Sequence, residues 1–153
     1  MASKPDSPNA VAIPTIGTDG RPLPADRAWL AADIAVRYLG LFKTCLEAGW
    51  VLVLADAARS HQRSLELRPD LGGWDLHVAG RAIDVSFVGM GFQPGWTVAT
   101  FDKFAASYGF YPLGAERASD KNHYDSADAN SKHLIGKQRF ASLQEACAWV
   151  RNV

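Results

Sequence analysis

Cysteine is scarce in this chain. The two residues present, Cys45 and Cys147, are too few and too far apart in sequence to build a disulfide framework. Both fall on the apolar side of helical patterns and read as free core thiols. Net charge is lacking as well, with 16 basic residues against 16 acidic ones. A balanced chain has no bulk attraction for nucleic acid or for an anionic membrane surface, so neither is expected as a partner. No apolar run approaches the roughly 18 residues of a membrane span. Met1 to Pro8 also lacks the continuous apolar segment of a secretory leader. The chain is therefore expected to be made in the cytoplasm without a signal peptide. Internal repeats and low-complexity tracts are absent too, so the fold must come from one non-repetitive core.

What is present suits such a core. The 153 residues, 48% of them hydrophobic, fit one domain that needs no disulfide staples. Pro5, Pro8, Pro14, Pro22 and Pro24 with Gly17 and Gly20 exclude long regular elements from residues 1–25. This stretch reads as an extended arm, which Ile13, Ile16 and Leu23 can pin to a domain spanning 26–153. A helix is expected from Asp26 as N-cap to Ala48, stopped by Gly49, with Ile34, Tyr38, Leu41, Phe42 and Cys45 as its apolar stripe. Trp50 to Ala55 reads as a buried strand, His61 to Leu67 as a short helix, and Pro69 to Gly73 as a loop. Ala82 to Phe87 alternates as a central strand, with Ile83, Val85 and Phe87 on one face and Ala82, Asp84 and Ser86 on the other. A glycine-rich turn from Gly89 to Gly95 then leads to a helix over 98–108. Phe110-Tyr111 and His123-Tyr124 are further strand candidates. A last helix is expected from Ser142, whose spacing to Glu145 makes a capping box, with Leu143, Ala146, Cys147 and Val150 on its packed side. This order of elements predicts an α+β fold with a small, mainly antiparallel sheet flanked by helices.

The chemistry concentrates in two stretches. His77 and Asp84 stand seven positions apart around Gly80 and a short apolar strand. Asp120 and His123 follow, a carboxylate three positions before a second imidazole. Together they offer three ligands and a base. Catalytic zinc takes three protein ligands from His and Asp/Glu and leaves a fourth position for water, whose acidity it raises. His77, Asp84 and His123 are thus the expected Zn2+ ligands.

The pattern His-x-x-Gly-x-Ala-x-Asp, followed by acidic-x-x-His, resembles the LAS-type zinc peptidases. That group includes D-Ala-D-Ala carboxypeptidases, dipeptidases and phage L-alanyl-D-glutamate endolysins of the peptidase M15-like family. Ala58-Arg59-Ser60, after the apolar run 51–54 and with Gln62 nearby, is similar to the family's Tyr-Arg-Ser segment. The likeness spans about half the chain, from Trp50 to Asp125. It implies a LAS/hedgehog-type metallopeptidase fold and a zinc-dependent peptidase acting on peptidoglycan stem peptides at a bond that involves a D-amino acid. Asp120 stands where the family has a glutamate that moves protons between water and leaving amine, and Arg59 where an arginine faces the substrate or the oxyanion. The shorter side chain of Asp120 withdraws the proton acceptor by about 1.5 Å, and a 1 Å misplacement can cost around 100-fold. A closer backbone approach compensates, or Glu116 or Asp125 acts instead, or the protein is a weak enzyme that still binds metal.

Other positions depart from the family pattern or have weaker claims. Asp75 replaces a common serine and can orient His77 or a substrate amine. Asn122 stands where many members have tryptophan. Trp74, Trp96 and Tyr124 are candidates for the substrate groove or for the core. Arg59 has an alternative role in a salt bridge to Asp56 or Asp84. His61 is expected at the surface, and His133 has no assigned role. The alternative function is a catalytically weak or inactive wall-binding or structural component of a phage particle, with the proline-rich arm as its contact to a partner; an amidase fits the motif order less well. In the enzyme reading, the protein reaches the bacterial cell wall after release or by delivery on a phage particle.

Overall fold

The computed structural model describes residues 9–67, 74–113, 117, 120–125, 139–140, 142 and 144–145, with side chains for all of these except 74, 75, 139 and 140. The expected turn 69–73, Glu116, His133 and Leu143, Ala146, Cys147 and Val150 lie outside the described residues.

Residues 9–25 are packed onto the rest of the chain. Strand β1 (Ala10–Ala12) pairs antiparallel with β2 (Trp29–Ala31). Ile13 is buried and Leu23 packs against the core, so these two apolar residues do pin the segment. Ile16 contributes its carbonyl, which accepts from the Leu54 amide at 2.8 Å.

The β2 strand also corrects the expected helix start. Trp29, Leu30 and Ala31 are all buried in extended conformation, so helix α1 runs from Ala32 to Glu47, five residues later than an Asp26 cap would give. Asp26 instead accepts the Trp29 indole N–H through its backbone carbonyl. Burial of Trp29 and Leu30 outweighs the local capping preference, and α1 begins without a side-chain cap. Ile34, Tyr38, Leu41 and Cys45 form its buried stripe.

Four short strands make the central sheet, in the order β3 (Leu54–Asp56), β5 (Ala82–Val85), β7 (His123–Asp125) and β6 (Tyr111–Pro112). Every neighbour in it is antiparallel. Ile83, Val85, Leu54 and Tyr124 join α1 and the helix α4 (Val98–Ser107) in one core. Because side chains alternate along strands, this packing turns Asp84 and His123 to the opposite face.

Two sequence expectations shift at their edges. The ladder starts at Leu54 rather than Trp50. Phe87 does not extend β5: Ser86 caps helix α3 (Phe87–Gly91) by accepting from the Gly89 amide. Helix α2 (His61–Leu67) has the expected bounds. A two-stranded pairing of β4 (Trp74–Asp75) with β8 (Arg139–Phe140) was not anticipated, since it joins segments 65 positions apart that carry no alternating pattern. Ser142 does accept from the Glu145 amide, as a capping residue should.

No helix among the described residues is long and apolar enough to cross a membrane.

Candidate metal centre

Cross-strand register builds the site. In the β5–β7 pair Asp84 lies directly opposite His123, and residues so paired share a face. His77 arrives from the turn between β4 and β5. That turn needs glycine at position 80, where φ is +70° and a side chain would meet the backbone amide of Ala31. The Gly80 and Ala31 backbones are hydrogen-bonded, so the turn rests on β2.

His77 Nε2, His123 Nδ1 and Asp84 Oδ1 converge, with separations of 3.1, 3.2 and 3.2 Å. Both rings are almost wholly buried, and Asp84 is the partly open member. The outward nitrogens are already engaged. His77 Nδ1 lies 2.5 Å from the Ala57 carbonyl, and His123 Nε2 lies 2.5 Å from Asp125 Oδ1. Those partners accept only, so the outward nitrogens carry the ring protons. In neutral imidazoles the inward nitrogens then present lone pairs, and they face a carboxylate oxygen with no proton between them. A cation resolves this convergence. Zinc ligands at 2.0–2.2 Å in tetrahedral geometry sit about 3.3–3.5 Å apart, close to the triangle seen here. His77, Asp84 and His123 can therefore hold a metal ion.

Charge makes the same demand. Burial by itself lowers the basicity of His123, but the Asp125 and Asp84 carboxylates outweigh it and push the pKa up to about 10. A proton thus takes the cation's place in the metal-free protein. Burial likewise acts to raise the Asp84 pKa, and the two histidines overcome it and hold it well below the usual carboxylate range. Among the described residues, Asp56, Asp84 and Asp125 set three carboxylates against the guanidinium of Arg59. That excess of two negative charges is what a divalent ion balances.

Arg59 is buried, and its Nη2 lies 3.4 Å from Asp84 Oδ2 and 3.3 Å from Asp56 Oδ2. Both salt bridges weighed from the sequence are therefore present at once. The guanidinium holds the outer oxygen of Asp84 while Oδ1 faces the histidines. Its backbone amide also donates to the His77 carbonyl at 3.2 Å.

The remaining candidates are placed unevenly. Asp120 is half-buried in the turn before β7, its amide donating to the Arg117 carbonyl. Trp74 and Asp75 lie in β4, and their side chains are outside the described ones. Tyr124 does not line a groove: it is fully buried, its ring packs edge-on against Phe101, and its hydroxyl donates to Asp102 at 2.6 Å. Strand alternation explains the correction, because a neighbour of His123 must point to the opposite, core face. Trp96 also packs inward, against Phe87 and Phe101. A cleft of about 310 Å³ is lined by Pro24, Asp26, Arg27, Ser60 and Arg63, and none of the three ligands borders it.

Asp125 was weighed from the sequence as a substitute base. It is wholly buried, and its Oδ1 is held against His123 Nε2. The signal that finds it is its position two residues after His123 on a strand, which puts both side chains on one face.

No known family profile matches the sequence, and no curated protein is similar to it. The fold is similar to a solved structure of the LdcB LD-carboxypeptidase, described as revealing the molecular basis of peptidoglycan recognition. The TM-score is 0.55 at 14% identity, over 84% of this chain and 72% of that one. At that identity the likeness is one of architecture. The chain is thus an α+β protein with a small antiparallel sheet, built like that carboxypeptidase and carrying a His/Asp/His group that can hold a metal ion.

Proposed function

We propose that this protein is a zinc-dependent peptidoglycan peptidase of the LAS type, hydrolysing a stem-peptide bond that involves a D-amino acid. The observation that carries the reading is the convergence of His77 Nε2, Asp84 Oδ1 and His123 Nδ1, each 3.1 or 3.2 Å from the others. The motif order from Arg59 to His123 and the architecture of the LD-carboxypeptidase support it. Two imidazoles and one carboxylate are a donor set that catalytic zinc takes, and one that other divalent ions share.

When bound, such an ion supplies Lewis acidity, polarising the scissile carbonyl and acidifying the attacking water. The protein's own groups do the rest. Asp120 accepts the proton of the attacking water and returns one to the leaving amine, work worth about 10²–10⁴-fold. Arg59 secures Asp84 and presents positive charge on the side where negative charge develops on the substrate. With their outward nitrogens held by the Ala57 carbonyl and the Asp125 carboxylate, His77 and His123 would offer their inward nitrogens to such an ion.

Metal analysis of the purified protein, in parallel with digestion of purified peptidoglycan, tests the reading. One zinc per chain with release of new amino termini that a chelator abolishes is the expected result. Zinc without release favours a wall-binding component in which the short Asp120 side chain has lost catalysis. Absence of metal from protein prepared with zinc present overturns the metallopeptidase reading.

A further inference from the structure

Asp125 is a wholly buried titratable group beside the centre that neither binds the metal nor moves a proton in the reading above. We propose that Asp125 is a positioning residue for the metal centre: its carboxylate selects which nitrogen of His123 is offered to a divalent cation and adds negative charge behind that ring. The inference rests on the metal-centre reading and assigns a role that this reading does not require.

Three features carry it. Asp125 and His123 are two apart on β7 and share a face, and the cross-strand partners of Asp125 are the small Ala82 on β5 and Tyr111 on β6. The 2.5 Å contact from Oδ1 to His123 Nε2 keeps the ring proton on that nitrogen and leaves Nδ1 to point at Asp84. The second oxygen, Oδ2, is buried and has no hydrogen-bond partner among the described residues. A buried carboxylate with an unmet oxygen is costly, and a neutral acceptor would orient the ring without that cost. His77 illustrates the cheaper solution, since a backbone carbonyl holds its outward nitrogen. What a carboxylate adds is charge: it makes the imidazole a stronger donor and helps balance the cation beyond it.

The test compares Asp125→Asn and Asp125→Ala with the native chain by titrating zinc in competition with a chromophoric chelator. Thermal unfolding of the metal-free proteins reports folding, and ¹⁵N NMR of the His123 ring reports which nitrogen carries the proton. The Ala variant is expected to bind zinc about 10–100-fold more weakly. The Asn variant should lose less, because its amide oxygen still accepts from Nε2 but brings no charge. Its near-identical shape preserves the fold, so it decides the matter if the Ala variant does not fold. Folded variants that bind zinc as tightly as the native chain, with Nε2 still protonated, overturn the role of Asp125 alone. A native chain that binds no zinc overturns the metal centre and this inference together.

Discussion

Asp84 and His123 face one another across the β5–β7 pair, 3.2 Å apart from Oδ1 to Nδ1, as directly opposed residues of an antiparallel ladder. The ladder holds two of the three candidate ligands at fixed separation. Only His77 depends on a turn, and that turn is braced against β2. A largely preformed site of this kind predicts that metal binding changes protonation more than backbone structure.

The first prediction concerns protons. In the metal-free protein the His123 pKa is raised from 6.5 to about 10, so the ring is charged at neutral pH. Zinc must displace that proton, and its apparent affinity should rise with pH through the neutral range. Asp84, held low, is already ionised and releases none. The buffer dependence of the calorimetric binding enthalpy should show at least one proton released per zinc at pH 7. No release would contradict a protonated His123. The same shift makes the metal-free fold gain from this group below pH 6.5 and lose that gain as pH climbs through about 10.

Asp120→Ala should retain zinc and lose turnover by about 10²–10⁴-fold. His123→Ala should lose both, because it removes a ligand. Metal content beside kcat separates these cases. Loss of zinc on changing Asp120 would contradict its assignment as the base.

A polar post on the core side of β7 supplies a third test. Asp102 on α4 accepts both Arg117 Nη groups, at 2.8 and 2.9 Å, and also the Tyr124 hydroxyl. Arg117 in turn offers its carbonyl to the Asp120 amide at 3.1 Å. Asp102→Ala breaks this post and should cost about 1–3 kcal/mol. Looser placement of Asp120 should also lower kcat at unchanged zinc content. Chemical unfolding and steady-state kinetics read the two effects, and an unchanged midpoint would show that the post bears no load.

Gly80→Ala should destabilise the fold through backbone strain of about 1–3 kcal/mol. A collision adds to it, since the new carbon would stand 2.7 Å from the Ala31 amide nitrogen. Because the same turn delivers His77, zinc affinity should fall with stability. A variant that unfolds at the native temperature would mean that the turn relaxes freely.

Much of the architecture was legible because it follows from local rules. Helix α2 and the body of α4 lie where capping and apolar spacing put them, and Ile83 and Val85 announce β5 by alternation. The start of α1 was not legible, because burial of Trp29 and Leu30 in β2 depends on a partner strand at residues 10–12. The β4–β8 pairing was hidden for the same reason.

The sequence by itself determined the chemistry available: two imidazoles, carboxylates and a guanidinium in an order that resembles a zinc peptidase, with a glycine where the chain must turn. Tertiary structure alone decided which of these groups meet. It brought His77, Asp84 and His123 together, gave Arg59 to Asp56 and Asp84, sent Tyr124 into the core, and made Asp125 a partner of His123 rather than a free base. The physical reason is that residue type and spacing specify what a side chain can donate or accept. Strand register and burial specify the atom it reaches and the charge it must balance.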